Sequence, residues 1–183
     1  MQRINTLLFL LVVCFATALQ AQAPARKPDP ELKKLHVLVG HWTYEGEYKG
    51  GPLGPGGKIT GEYDAHMILG GFFVQDQSTE RGAMGETRSL GITGYDPANK
   101  NFTYNGYGSD GSTFSGTVTI SGNTLTWAGK FVIAGKQYQF KEPFVLAPDL
   151  MGGTARAEIS ADGKMWTPFF EAKYTKAKPA PKK

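Results

Sequence analysis

The sequence predicts an all-β fold: an antiparallel, up-and-down barrel of about ten strands with one short N-terminal capping helix. Three observations lead there. Short segments of alternating polar and apolar residues follow one another from Trp42 to Tyr174. Turns rich in glycine separate them about every ten to fourteen residues. Those turns (Asp110-Gly111, Ser121-Gly122-Asn123, Ala134-Gly135-Lys136, Asp162-Gly163) hold residues that accept the positive φ of tight hairpins, which join only antiparallel neighbours. Closure removes the two bare edges that so many strands would otherwise leave; a two-sheet sandwich is the alternative.

The chain opens on a leader. Arg3 supplies a positive start, Leu7 to Ala18 is apolar, and small residues follow to Ala23. A membrane span needs about twenty apolar residues, so this run reads as a secretory signal peptide. Cleavage is expected after Ala21, because Pro24 would hinder it after Ala23. Cys14 is the only cysteine, and Val13 before it does not suit a lipid-attachment motif. The mature chain then lacks cysteine, and its fold must stand without disulfides in a periplasmic or extracellular space. Residues 22–30 are proline-rich and charged, a disordered leader to the barrel domain at 31–176. Asp29 caps a short helix with Pro30 at its first position, and Leu32, Leu35, Leu38 and Val39 form its apolar stripe up to Gly40.

Strands are expected over His41–Lys49, Lys58–Ile68, Phe72–Glu80, Arg88–Tyr95 and Asn101–Gly108. They continue over Ser112–Ile120, Thr124–Val132, Lys136–Leu146, Met151–Ser160 and Met165–Lys176. Residues 50–57 form a glycine-rich mobile loop at a barrel rim. Residues 177–183 are a basic, disordered tail. The net charge of +4 belongs to the ends of the chain: between Gly40 and Ala172 stand ten Lys or Arg against fourteen Asp or Glu. A nucleic-acid binder carries its positive charge on the folded face, so nucleic acid is not an expected partner. The outward strand faces carry Thr, Lys, Glu and Gln, which suits water rather than a lipid belt, so no stable membrane insertion is expected.

Leu38-Val39-Gly40-His41-Trp42 resembles the G-x-W opening of lipocalin-like (calycin) barrels. Ile68-Leu69-Gly70-Gly71-Phe72-Phe73 and Gly91-Ile92-Thr93-Gly94-Tyr95-Asp96 resemble a bacterial domain family labelled as of unknown function. Its closing pattern resembles Asp162-Gly163-Lys164 followed by Glu171 to Lys176. The likeness runs from about Pro30 to Lys176, with departures at Met67 and Phe72. It implies a lipocalin-like β-barrel and brings no catalytic residues. Barrels resembling nitrobindin hold haem through a late histidine; here no histidine follows His66.

Chemistry-bearing residues are sparse. His36, His41 and His66 lack metal-site spacing, and no nucleophile elbow, phosphate loop or dinucleotide fingerprint is present. No metal, cofactor or catalytic residue is therefore assigned. The aromatic residues either fill the barrel or line a cavity, and Tyr44, Phe73, Tyr104, Trp127, Tyr138, Phe140 and Trp166 are the candidate ligand-binding residues. Glu142 alternates with Tyr138, Phe140 and Phe144. Facing inward it would need a partner such as Arg156 or Arg88; a bulge at Pro143 would instead turn it to solvent. The expected function is an exported binding protein for a small apolar or amphipathic molecule. The alternatives are a small enzyme using an interior Glu, Arg and Tyr set, and a ligand-free structural or interaction domain.

Overall fold

The computed structural model describes residues 26–83 and 85–178. The expected signal peptide, residues 22–25 of the leader and residues 179–183 of the tail lie outside the described residues. Ten strands follow in chain order: β1 Gly40–Tyr48, β2 Gly57–Ile68, β3 Phe73–Gly82, β4 Gly85–Asp96, β5 Asn101–Gly108, β6 Thr113–Ser121, β7 Thr124–Ile133, β8 Lys136–Leu146, β9 Gly152–Ser160 and β10 Thr167–Lys176. Each pairs antiparallel with its chain neighbours, and β1 pairs with β10 to close an up-and-down barrel. The closing seam sets Trp42 opposite Lys176, Tyr44 opposite Tyr174 and Tyr48 opposite Phe170. A sandwich is thereby replaced by a sheet without edges.

The expected turns form as their residues dictate. Ala134 and Gly135 take φ of 48° and 73° between β7 and β8, the left-handed pair that a two-residue hairpin requires. The Asp96 carboxylate accepts from the backbone N–H groups of Ala98 and Asn99 and shapes the β4–β5 turn. β10 starts at Thr167, later than the expected Met165. The Asp162 carboxylate accepts from the N–H groups of Lys164 and Met165, which holds that stretch in a turn.

One end of the barrel is sealed. Pro30–Val37 is a 3-10 helix whose N-cap Asp29 accepts from the Glu31 N–H at 2.9 Å. Its Leu32 and Leu35, with Leu38 beyond it, are buried. Trp42, fully buried, donates its indole N–H to the Leu38 carbonyl at 2.9 Å. Its ring stacks on Tyr63, with centroids 5.8 Å apart and planes at 7°, and meets the edge of Phe144 at 5.9 Å. The Lys176 ammonium stands 5.1 Å from the Trp42 ring centroid and donates to the Val37 carbonyl at 2.8 Å. Helix, β1, β2, β8 and β10 are thus joined at one point.

Replacing Trp42 by Ala removes this ring and orphans the Leu38 carbonyl. The expected cost is roughly 3–5 kcal/mol, read as a lowered denaturation midpoint. An unchanged midpoint would contradict the ring's place in the floor.

Candidate functional site

Alternation along each strand sends every second residue inward. On β1 these are Trp42, Tyr44, Gly46 and Tyr48; on β3 they are Val74, Asp76, Ser78 and Glu80. Above the Trp42 floor the inward side chains stop short of filling the barrel. They leave a chamber of about 280 Å³ lined by Leu38, Tyr44, Tyr63, Asp76, Thr93, Tyr104, Trp127, Phe140, Glu142, Phe144 and Tyr174, among others. A second chamber of about 220 Å³ lies toward the far mouth, under Leu53 and Pro55 of the β1–β2 loop, with Tyr48, Glu80, Ile133 and Phe169 on its walls. Tyr44, Ser78, Ser89 and Phe131 line both.

Glycines decide where the rings lie. A Cβ on Gly91 of β4 would collide with the Tyr104 hydroxyl and the Asp76 carboxylate, so glycine there lets the two meet at the wall. Gly61 of β2 does the same for the Tyr44 ring. Both tyrosine side chains thus lie close against a neighbouring strand.

The interior is rich in acid groups. The Tyr44 hydroxyl donates to Glu80 at 3.1 Å, and the Tyr48 phenol lines the outer chamber beside the same carboxylate. Burial pushes the Asp76 carboxyl up to about 6, opposed by the Tyr104 hydrogen bond. Burial, reinforced by the nearby Glu80 charge, pushes Glu142 up to about 7. Glu80 is also raised by burial, against the pull of its two tyrosines. Burial first, and then the neighbouring carboxylates, raise the phenols of Tyr44, Tyr48, Tyr63, Tyr104 and Tyr174. These tyrosines therefore stay protonated as donors at neutral pH. Among the described residues no group donates a hydrogen bond to Glu142. No Lys, Arg or His lines the inner chamber. Arg88 borders the outer one, but its side chain is 74% exposed and pairs with Glu86 at 2.9 Å.

Of the candidates named from sequence, Tyr44, Tyr104, Trp127 and Phe140 line the inner chamber together. Three do not. Phe73 lies on the outer face of β3, covering Gly94 of β4. Tyr138 is buried but lines neither chamber. Trp166 lies in the β9–β10 turn, with the Lys141 ammonium 4.9 Å from its ring centroid. Glu142 faces inward and Pro143 makes no bulge: β8 stays in continuous register with β7 across Trp127–Glu142 and Thr126–Pro143. The suggested partner Arg156 is exposed and sits opposite Glu171, so the interior Glu–Arg pair does not form. His36 and His66 are exposed, and His41 bonds Asp64 at 3.0 Å on the outside. Asp76 and Glu80 were not singled out. Their signal is the alternation Val74, Asp76, Ser78, Glu80, which polarity alone assigns to solvent.

The fold and cavity define a closed ten-stranded antiparallel barrel with an acidic, tyrosine-rich interior. Residues 27–176 match the family model described as "Protein of unknown function (DUF1579)", and the chain belongs to that family. It is similar to the crystal structure of Rv2717c from M. tuberculosis, with TM-score 0.61 and 14% identity over 83% of this chain and 100% of that one. At that identity the likeness is one of fold. No curated protein matches the chain.

Folding raises the Glu142 carboxyl from 4.5 to about 7 and the Asp76 carboxyl from 3.8 to about 6. The folded state then holds these protons more tightly than the unfolded chain does. Their contribution to stability is full below about pH 4 and is lost as pH rises through 6 and 7. Glu142→Gln is expected to raise stability at pH 8 by roughly 1–3 kcal/mol and to change it little at pH 4, by urea denaturation at the two pH values. A variant less stable at pH 8 would contradict an unpaired interior carboxylate.

Proposed function

We propose that this protein is an exported binding protein that carries a small, amphipathic molecule inside its barrel. The single observation that carries the reading is the inner chamber of about 280 Å³, walled by Trp127, Phe140 and four tyrosines and dotted with the polar groups of Asp76 and Glu142. Apolar walls with a few polar groups are the usual make-up of a small-molecule site. The resemblance of Gly40-His41-Trp42 to the calycin G-x-W opening points the same way. The helix and Trp42 seal one end, so a ligand enters at the mouth beneath residues 50–56. Export rests on the leader that ends at Ala21. A filled, ligand-free barrel would not keep such a chamber, and the enzymatic alternative lacks its interior arginine.

Native mass spectrometry of protein purified from its own host tests the reading. The expected species begins at Gln22 and carries a small-molecule adduct. The purified protein should also enhance the fluorescence of a neutral hydrophobic dye, and Phe140→Glu, with its far-ultraviolet circular dichroism unchanged, should lose most of that signal. Protein with neither adduct nor dye uptake would overturn the reading.

A further inference from the structure

Three carboxylates, Asp76, Glu80 and Glu142, project into the barrel, and no cationic side chain lines the inner chamber. A buried carboxylate is stable only when it is paired, hydrogen-bonded or protonated. Two of the three have phenols beside them: Glu80 accepts from the Tyr44 hydroxyl, and the Asp76 carboxylate stands beside the Tyr104 hydroxyl at Gly91. Glu142 accepts no hydrogen bond from the described residues, and it faces the chamber. A carboxylate left without a protein donor beside a cavity is an acceptor available to something in that cavity.

The walls favour the same sign of charge. Trp127 and Phe140 line the chamber, Tyr104 meets Trp127 edge-on at 6.5 Å, and Phe140 meets Phe114 edge-on at 5.2 Å. Aromatic faces attract cations through the ring quadrupole. An anion placed there would meet two acidic groups, Asp76 and Glu142, with no counter-charge on the lining. A metal ion is not suggested, because no group of three or more His, Cys, Asp or Glu among the described residues could hold one.

We propose that the chamber selects a small organic cation: an amine whose protonated nitrogen pairs with Glu142, and with Asp76 on the same chamber, while its apolar body lies against Trp127 and Phe140. This inference rests on reading the chamber as a ligand site and names the ligand class. It distinguishes the protein from barrels that take fatty carboxylates, whose head group this interior repels.

Three probes with closely matched bodies test it: 3-phenylpropylamine, 3-phenylpropan-1-ol and 3-phenylpropanoate, titrated at pH 7 by calorimetry. The expected order is amine, then alcohol at least tenfold weaker, then the carboxylate with no measurable binding. Glu142→Gln, isosteric and free of a buried charge, should weaken the amine at least tenfold and leave the alcohol within about twofold; these fold-changes correspond to about 1.4 kcal/mol and less. Asp76→Asn should act in the same direction. Equal binding of all three, preference for the carboxylate, or an amine affinity that Glu142→Gln leaves unchanged would overturn the amine inference. So would a protein that takes up the neutral dye but none of the three probes; in each of these cases the chamber remains a ligand site. Absence of dye and probe binding alike would overturn the ligand-site reading and this inference with it.

Discussion

The indole of Trp42 is the contact on which the rest of the barrel depends. A ten-stranded up-and-down barrel has two open ends, and water entering both would dissolve the distinction between interior and surface. Trp42 closes one of them. Its N–H to the Leu38 carbonyl holds the helix across the floor, its face lies on Tyr63, and Lys176 at the far side of the seam reaches over its ring to Val37. The helix is one short 3-10 segment, too short to be stable on its own. It is held by Leu32, Leu35 and the Trp42 bond rather than by its intrinsic preference.

Sealing the floor gives the interior its electrostatic character. Ten strands enclose more space than the inward side chains of β1 to β10 fill, and glycines at 61 and 91 let Tyr44 and Tyr104 lie close to the wall. Phenols and carboxylates then share a chamber with no lysine, arginine or histidine on its lining. Tyrosine hydroxyls can satisfy carboxylates without neutralising them. The raised Asp76 and Glu142 follow from that arrangement. An interior built in this way gives its carboxyl groups no counter-charge from the lining, which is what the proposed cationic guest would supply.

Much of the architecture was legible because hairpin turns are local. Ala134-Gly135, Gly122-Asn123 and Asp110-Gly111 specify their own backbone, and Asp29-Pro30 specifies the start of the helix. Trp42 was legible because it follows the helix directly. The inward faces were harder, since a slip of one residue exchanges the faces of a strand. Phe73 looks inward by hydrophobicity, yet it covers Gly94 on the outside, and the inward row is Val74, Asp76, Ser78 and Glu80. Pro143 suggested a bulge because it lacks a donor. Pairing with β7 nevertheless continues through it, the break in the ladder falls on the β9 side, and Glu142 stays inside. Arg156 could not be assigned a face until the pairing of β9 with β10 set it opposite Glu171 on the outside. Such facts depend on register across distant strands, which no local pattern carries.

The closed barrel sets Asp76 and Glu142 about an interior chamber whose lining carries no cationic side chain. Carboxyl ¹³C chemical shifts followed against pH in the ligand-free protein test it most directly. Asp76 is expected to titrate near 6 and Glu142 near 7, while the outward carboxylate Glu171, held by the Lys49 ammonium at 2.8 Å, titrates below the ordinary carboxylate range. Midpoints for Asp76 and Glu142 in that ordinary carboxylate range would contradict it.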